Sequence, residues 1–124
     1  MTVTNILLKE ITKAINSESY IVPAYIAVAT TEVASINTTD TVLSGEIGAR
    51  MSTANTRTDN NLVMSAIRTS ASVVDTANGD DIKTTGLFDT TSGAYLLTGV
   101  VVSGVTHTTN FDIEIEFGLT VDRR

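Results

Sequence analysis

The sequence contains no cysteine and no tryptophan, and it has only one proline and one histidine. Without cysteine, the chain has no disulfide framework and no thiolate for catalysis or metal binding. Basic residues are also few, 8 against 14 acidic ones, which leaves a formal net charge of −6. A surface that neutralises phosphates needs the opposite balance, so we expect no binding to nucleic acid.

Long apolar runs are missing as well. No stretch approaches the roughly 18 residues that a membrane-spanning helix needs, and the start lacks the basic and apolar regions of a signal peptide. We therefore expect a chain that is made soluble in the cytoplasm and does not contact membranes. A length of 124 residues suits a single domain over 1–124, since one core serves about 100 to 200 residues.

Threonine is the residue in excess, with 22 copies among the 124 residues. Its branched β-carbon favours strands, and a hydrophobic fraction of 42% is ample for a folded core. Runs of alternating or continuous apolar residues, bounded by turn residues, predict the strands. They are expected at about 20–29, 49–57, 61–70, 82–88 and 95–103, with a last one at 111–121. We expect an antiparallel β-sandwich-like domain of seven or eight strands over 20–124.

The first part of the chain, 1–19, is predicted to carry one short α-helix at 5–16. Leu7, Leu8, Ile11 and Ile15 recur at helical spacing and form an apolar stripe. A helix of about 12 residues is marginal alone, so this stripe must dock against something. The mean hydropathy is positive, and several strands are apolar on both faces. We therefore predict a homo-oligomer, a trimer or a ring, with the stripe as a candidate contact.

The last predicted strand has the clearest pattern, because apolar and polar residues alternate over twelve positions. Period two indicates an antiparallel strand with one core face and one solvent face. The apolar positions are Phe111, Ile113, Ile115, Phe117 and Leu119. We expect Phe111, Ile115 and Phe117 to be core residues.

Candidates for chemistry are sparse. His107, the single histidine, is the natural general base near neutral pH, but its neighbours are threonines and we interpret it as a surface or loop residue. Asp112, Glu114 and Glu116 lie about 7 Å apart along one strand face and could hold a hard cation. A charged solvent face is the favoured interpretation. We predict no catalytic, cofactor or metal site, and no enzyme.

Two further groups of polar residues have simple interpretations. Residues 78–81 read Asn-Gly-Asp-Asp, a strong turn signal that could also hold calcium but lacks the pattern of an EF-hand. Arg50, Arg57 and Arg68 stand near the ends of the middle strands. They could recognise an acidic partner, although solvated charge is the default expectation.

Two stretches resemble known proteins. Residues 7–11 and 19–27 are similar to the opening of a common group of small tailed-phage proteins, in which a short helix leads into an apolar strand. Residues 83–97 resemble the E-x-GLFD-x-x-SG-x-x-L hairpin of those proteins and of phage tail-collar fibre domains. The matching motif residues are Gly86, Leu87, Phe88, Asp89 and Gly93. Thr84 departs from the pattern, which has an acidic residue at that position.

The resemblance implies a structural component of a tailed-virus particle, in a tail, collar, fibre or capsid-surface position, with other virion proteins as partners. Its role would be assembly and surface presentation. The alternative is a receptor- or glycan-binding module that uses the Thr- and Asn-rich loops at 30–48 and 53–61. Its aromatic candidates would be Tyr20, Tyr25 and Tyr95. A hydrolase is a third and weaker possibility.

Overall fold

The computed structural model describes residues 2–3, 5–18, 22–32, 40–73, 79–89 and 96–120. The chain is mainly β, with two antiparallel sheets in a sandwich-like arrangement and one short N-terminal helix, as the sequence predicts. The elements are, in order, β1 (Thr2–Val3), α1 (Asn5–Ile15), β2 (Tyr25–Ala29), β3 (Glu46–Ser52), β4 (Ala54–Thr58), β5 (Asn61–Arg68), a single 3-10 turn (Ser70–Ser72), β6 (Asp80–Phe88), β7 (Leu96–His107) and β8 (Ile113–Thr120).

The larger sheet has the order β1-β7-β6-β2-β3 and the smaller one the order β4-β5-β8. The N-terminal segment contributes a strand as well as the predicted helix, because β1 pairs with Thr98 and Gly99 of β7. β7 is twelve residues long, so β1 covers only a small part of its outer edge. Within the described residues, β8 is likewise a free edge of the smaller sheet.

The strand predicted at 49–57 is divided between the two sheets. It breaks at Thr53, so that β3 belongs to the larger sheet and β4 to the smaller one. The backbone amide of Thr53 donates to the Ala24 carbonyl at 2.9 Å, which holds the crossing point against the larger sheet. The predicted hairpin that follows is confirmed, with Thr58 opposite Asn61 and a left-handed Asp59 in the turn.

The space between the sheets holds one apolar core. Ile26 and Leu87 project into it from the larger sheet, and Met64, Ala66 and Phe117 project from the smaller one. All five side chains are buried, and the predicted burial of Phe117 is confirmed. Burial of this apolar area is the main force that holds one sheet on the other.

A second core lies on the outer face of the larger sheet. Ala27, Phe88 and Leu96 are buried there beneath Leu43, which stands in the segment before β3. The Leu96 amide donates to the Asp40 carbonyl at 2.8 Å and ties this segment to the sheet. Both faces of the central strands are therefore covered, which explains why the sequence of β2 is apolar on both faces.

Two predictions for the last strand need correction. Phe111 is 47% exposed and lies before β8, which begins at Ile113. The alternation of apolar and polar residues in the sequence begins at Phe111, before the first residue of β8. Phe111 follows the turn at 109–110 and lies outside the sandwich. Ile115 is only half-buried, although it packs against the inter-sheet core. Ile113 and Leu119 are also half-buried.

Candidate functional site

Three ionisable side chains meet inside the fold at the end of the strands. Arg68 closes β5, Asp80 opens β6 and His107 closes β7, and all three are buried. One guanidinium nitrogen of Arg68 donates to Asp80 Oδ2 at 2.7 Å and to the Ser72 carbonyl at 2.9 Å. The second terminal nitrogen of the guanidinium donates to His107 Nδ1. Because Arg68 comes from the smaller sheet and its side-chain partners Asp80 and His107 come from the larger one, this cluster links the two sheets.

The partners of His107 determine where its proton sits. Nε2 lies 2.8 Å from the carbonyl oxygen of Phe111, which can only accept, so Nε2 carries the hydrogen. Arg68 can only donate, so Nδ1 is the acceptor. The imidazole is thus held as the neutral Nε2–H tautomer. His107 is fully buried, and its interpretation as a surface histidine is wrong.

We expect this tautomer to be visible in solution. In a long-range ¹H–¹⁵N correlation spectrum of the folded protein at neutral pH, His107 should show a protonated Nε2 and an unprotonated Nδ1. The same spectrum of an Arg68→Ala variant that remains folded should lose that fixed pattern, because the donor to Nδ1 is gone. A protonated Nδ1 in the parent protein would contradict the assignment.

Gly79 allows the backbone to approach this cluster. Its φ is +74°, as the turn signal predicts, and a β-carbon placed on it would lie 2.4 Å from the backbone carbonyl oxygen of His107. A β-carbon is therefore excluded at Gly79 by two effects, the left-handed conformation and the clash with the backbone of His107.

Gly79→Ala should lower the free energy of unfolding by about 2 to 3 kcal/mol, since it adds strain at positive φ and a backbone clash. Gly118→Ala is the matched control, because nothing lies within 4 Å of its β-carbon position. That change should stay within about 0.5 kcal/mol. Urea denaturation of both variants checks this, and equal losses would show that the approach of Gly79 to His107 does not matter for stability.

Next to the cluster, the sandwich is open. A cleft of about 240 Å³ lies between β6 and β7 on one side and β8 on the other. Its apolar lining includes Val100, Val102, Val105, Ile113 and Ile115. The lining residue Ile113 is the strand partner of Arg68, and the lining residue Val105 precedes His107 by two positions on β7. The buried cluster therefore lies at one end of the cleft.

Acidic residues border this opening. Glu114 and Glu116 belong to β8, line the cleft and are exposed. Asp112 does not join them in a cation site, because its Oδ1 accepts the Ser70 backbone amide at 2.7 Å and caps the 3-10 turn. Over the described ranges, no group of three His, Asp or Glu side chains is arranged to hold a metal ion.

Part of the apolar stripe on α1 is exposed. Leu8 is 52% exposed and Ile15 is 80% exposed, while Ile11 is partly exposed. The opposite side of α1 carries Glu10, which is buried. Its Oε1 forms an ion pair with Lys13 Nζ at 2.8 Å. The side chain of Leu7 lies outside the described part. α1 contacts β7. In the described part of the chain, no helix is long and apolar enough to cross a membrane.

Residues of the motif in 83–97 pack in both apolar cores. Leu87 and Phe88 are neighbours on β6, and they bury their side chains on opposite faces of the larger sheet. Gly86 lies beneath Leu43 and Leu96, where a β-carbon would meet Leu96 Cδ1 at 2.8 Å. Asp89 follows β6 and is partly buried. Gly93 falls outside the described residues.

Thr84, which replaces the acidic residue of the motif, is also buried. Its hydroxyl donates to the Thr31 carbonyl at 2.8 Å. A carboxylate could not make this bond, because when ionised it only accepts. The hydroxyl of Thr84 is therefore matched to the local hydrogen bonding.

Of the three middle arginines, only Arg57 is exposed. Arg50 is buried with its guanidinium 3.6 Å from the centre of the Phe88 ring. It also donates to Glu46 Oε1 at 2.7 Å and to the Thr41 carbonyl at 2.8 Å. The expectation of solvated charge is wrong for Arg50 and Arg68, which bind partners within the fold.

The residues predicted for the alternative glycan-binding module do not form one site within the described part of the chain. Tyr25 is half-buried against the outer core, and Tyr20 and Tyr95 lie outside the described residues. Of the two proposed loops, part of 30–48 also lies outside them. The region 53–61 is the β4–β5 hairpin, and every residue of β4 is exposed.

Sequence reasoning missed both the buried cluster and the cleft. The sequence does carry a signal that Arg68 has a buried partner. Arg68 ends the mostly apolar strand β5, where burying an unpaired charge would cost free energy of folding. The cleft leaves no such signal, because it depends on how far β8 lies from β6 and β7. Comparisons of the chain with protein-family models, curated proteins and solved structures found no match.

Proposed function

We propose that this protein is a non-enzymatic structural subunit of a tailed-virus particle, at a tail, collar, fibre or capsid-surface position. In this proposal it is made in the host cytoplasm, assembles in many copies and acts in particle assembly and surface presentation. Its partners are other copies of itself and other virion proteins. The observation that carries the proposal is the exposed apolar stripe of α1, because such a surface is stabilised when another protein covers it.

The buried ionisable groups support a structural role. A catalytic histidine needs a nitrogen that can reach a substrate. Both nitrogens of His107 are instead engaged, one by Arg68 and one by the Phe111 carbonyl, and the side chain has no contact with solvent. The cluster stabilises the pairing of the two sheets, as a subunit that bears load in a particle requires.

The resemblance in the hairpin motif supports the same class of protein. Leu87 and Phe88 carry the two cores, and Gly86 is fitted beneath Leu43 and Leu96. These positions account for the Gly-Leu-Phe part of the motif by packing alone. The proposed link to virion proteins rests on this motif and on the exposed stripe.

A receptor- or glycan-binding tip is the second candidate, and the β4–β5 hairpin favours it. All five residues of β4 are exposed, and Asn55 and Thr56 place polar groups at this surface, where Asn55 Nδ2 also donates to the Pro23 carbonyl at 3.4 Å. Glycan-array binding that is lost on replacing Asn55 and Thr56 by Ala would promote this candidate. Absence of binding by the assembled protein would remove it.

The proposed function is tested on virus particles. Particles are purified by density gradient from a culture that produces the virus encoding this chain, and their proteins are quantified by mass spectrometry. We expect the chain at many copies per particle, with antibodies against it labelling one defined location in electron micrographs. Its absence from particles that contain the other structural proteins would overturn the proposal.

A further inference from the structure

Two surfaces of the described chain are apolar and unfilled. The first, named here the helix face, consists of Leu8, Ile11 and Ile15 on α1. The second is the cleft between β8 and the β6–β7 pair. No residue of α1 lines the cleft, so the helix of a given chain does not fill its own opening.

We propose that the helix face of one copy docks in the cleft of a second copy of this chain. The inference rests on the proposed function, which requires self-assembly, and it identifies the two surfaces that meet. An amphipathic helix that places its apolar face in an apolar groove is a recurrent mode of recognition. The partner is thus a second copy, and the contact is between two different surfaces.

The two surfaces agree in length. Leu8 and Ile15 are seven residues apart, which is about 10 Å along a helix. The part of β8 that borders the cleft runs from Ile113 to Glu116, which is also about 10 Å along a strand. Apolar cavities of about 150 Å³ accept a benzene-sized group, so a cleft of about 240 Å³ has room for aliphatic side chains.

The two surfaces also agree in charge. Lys9 is exposed beside the helix face and makes no ion pair within the described residues. Lys13 balances the buried Glu10, so that the exposed charge of the helix is positive. Glu114 and Glu116, which are both exposed, are among the residues that line the cleft. Opposite charges at the rim of an apolar contact orient the partners and exclude the reverse docking.

A contact between two different surfaces has a consequence for symmetry. Each copy offers one helix face and one cleft, so each added copy leaves one of each surface free until the assembly closes. Such head-to-tail contacts produce rings when the rotation closes and filaments when it does not. Either product suits a particle component that is present in many copies.

The test mixes two variants that each lack one surface. Leu8→Glu with Ile15→Glu alters only exposed positions of the helix face, and Val102→Glu places a charge in the cleft. Each variant alone should sediment as a monomer. A 1:1 mixture should form a two-chain species and stop there, because the intact helix of one variant can occupy the intact cleft of the other.

Circular dichroism and melting temperatures establish that each variant is folded. If the parent chain assembles and the cleft variant still assembles alone, helix faces pair with each other and the inference is wrong. Assembly of the parent chain with no two-chain species in the mixture would also overturn it, while leaving the proposed function intact. A parent chain that stays monomeric at micromolar concentration would count against the proposed self-assembly itself.

A charge exchange tests the docking without altering the apolar residues. Lys9→Glu alone and Glu114→Lys with Glu116→Lys alone should each weaken self-association by about threefold to tenfold. All three changes in one chain should restore it, since each helix then meets a cleft of opposite charge. All replaced side chains are exposed, so folding should be unaffected. Failure of the combined variant to regain affinity would contradict the proposed orientation.

Discussion

Arg68→Ala should lower the free energy of unfolding by about 3 to 5 kcal/mol. The guanidinium of Arg68 is the buried partner of Asp80 and the donor to His107 Nδ1. Its removal leaves a carboxylate with 7% exposure and an imidazole nitrogen without that partner inside the fold. Urea denaturation followed by circular dichroism measures the loss.

Arg57→Ala is the matched control. Arg57 lies on the exposed β4 and, among the described residues, donates only to the Asp59 carbonyl of its own hairpin, so its loss should stay within about 0.5 kcal/mol. Arg68→Lys should recover only part of the stability, because an ammonium group cannot reproduce the fork of the guanidinium. Similar losses for the alanine variants of Arg57 and Arg68 would contradict the link between the two sheets.

Phe117→Ala should also cost about 3 to 5 kcal/mol, because Phe117 is 3% exposed and fills the core between the sheets. Phe111→Ala is the matched control and should cost about 1 kcal/mol, from its ring contact with His107. Glu116→Gln, on the solvent side of the same strand, should stay within about 0.5 kcal/mol. Equal losses at Phe111 and Phe117 would show that β8 has a different register.

Local patterns in the sequence predicted most of the architecture. The helix at 5–16 corresponds to α1, the β4–β5 hairpin lies where its turn residues place it, and the buried strand 20–29 contains β2. Period two along β8 also identified Phe117 as a core residue. These predictions succeed because backbone periodicity and turn chemistry depend on neighbours in sequence.

The errors concern contacts between residues that are distant in sequence. His107 is buried because Arg68 and Asp80, from two other strands, converge on it. Phe111 is exposed because it lies between the turn at 109–110 and the start of β8, although the sequence alternation includes it. The helix face points outwards, although periodicity alone indicates only that a stripe exists and not what covers it. Each outcome depends on tertiary packing, which the local pattern does not encode.

Sedimentation equilibrium of the purified chain at micromolar concentration tests the central claim most directly, because the claim is that this protein works as a self-assembling subunit. The account predicts a mass that is a multiple of the single chain, and dissociation to monomers on Leu8→Glu with Ile15→Glu. A monodisperse monomer for the parent chain across that concentration range would contradict it.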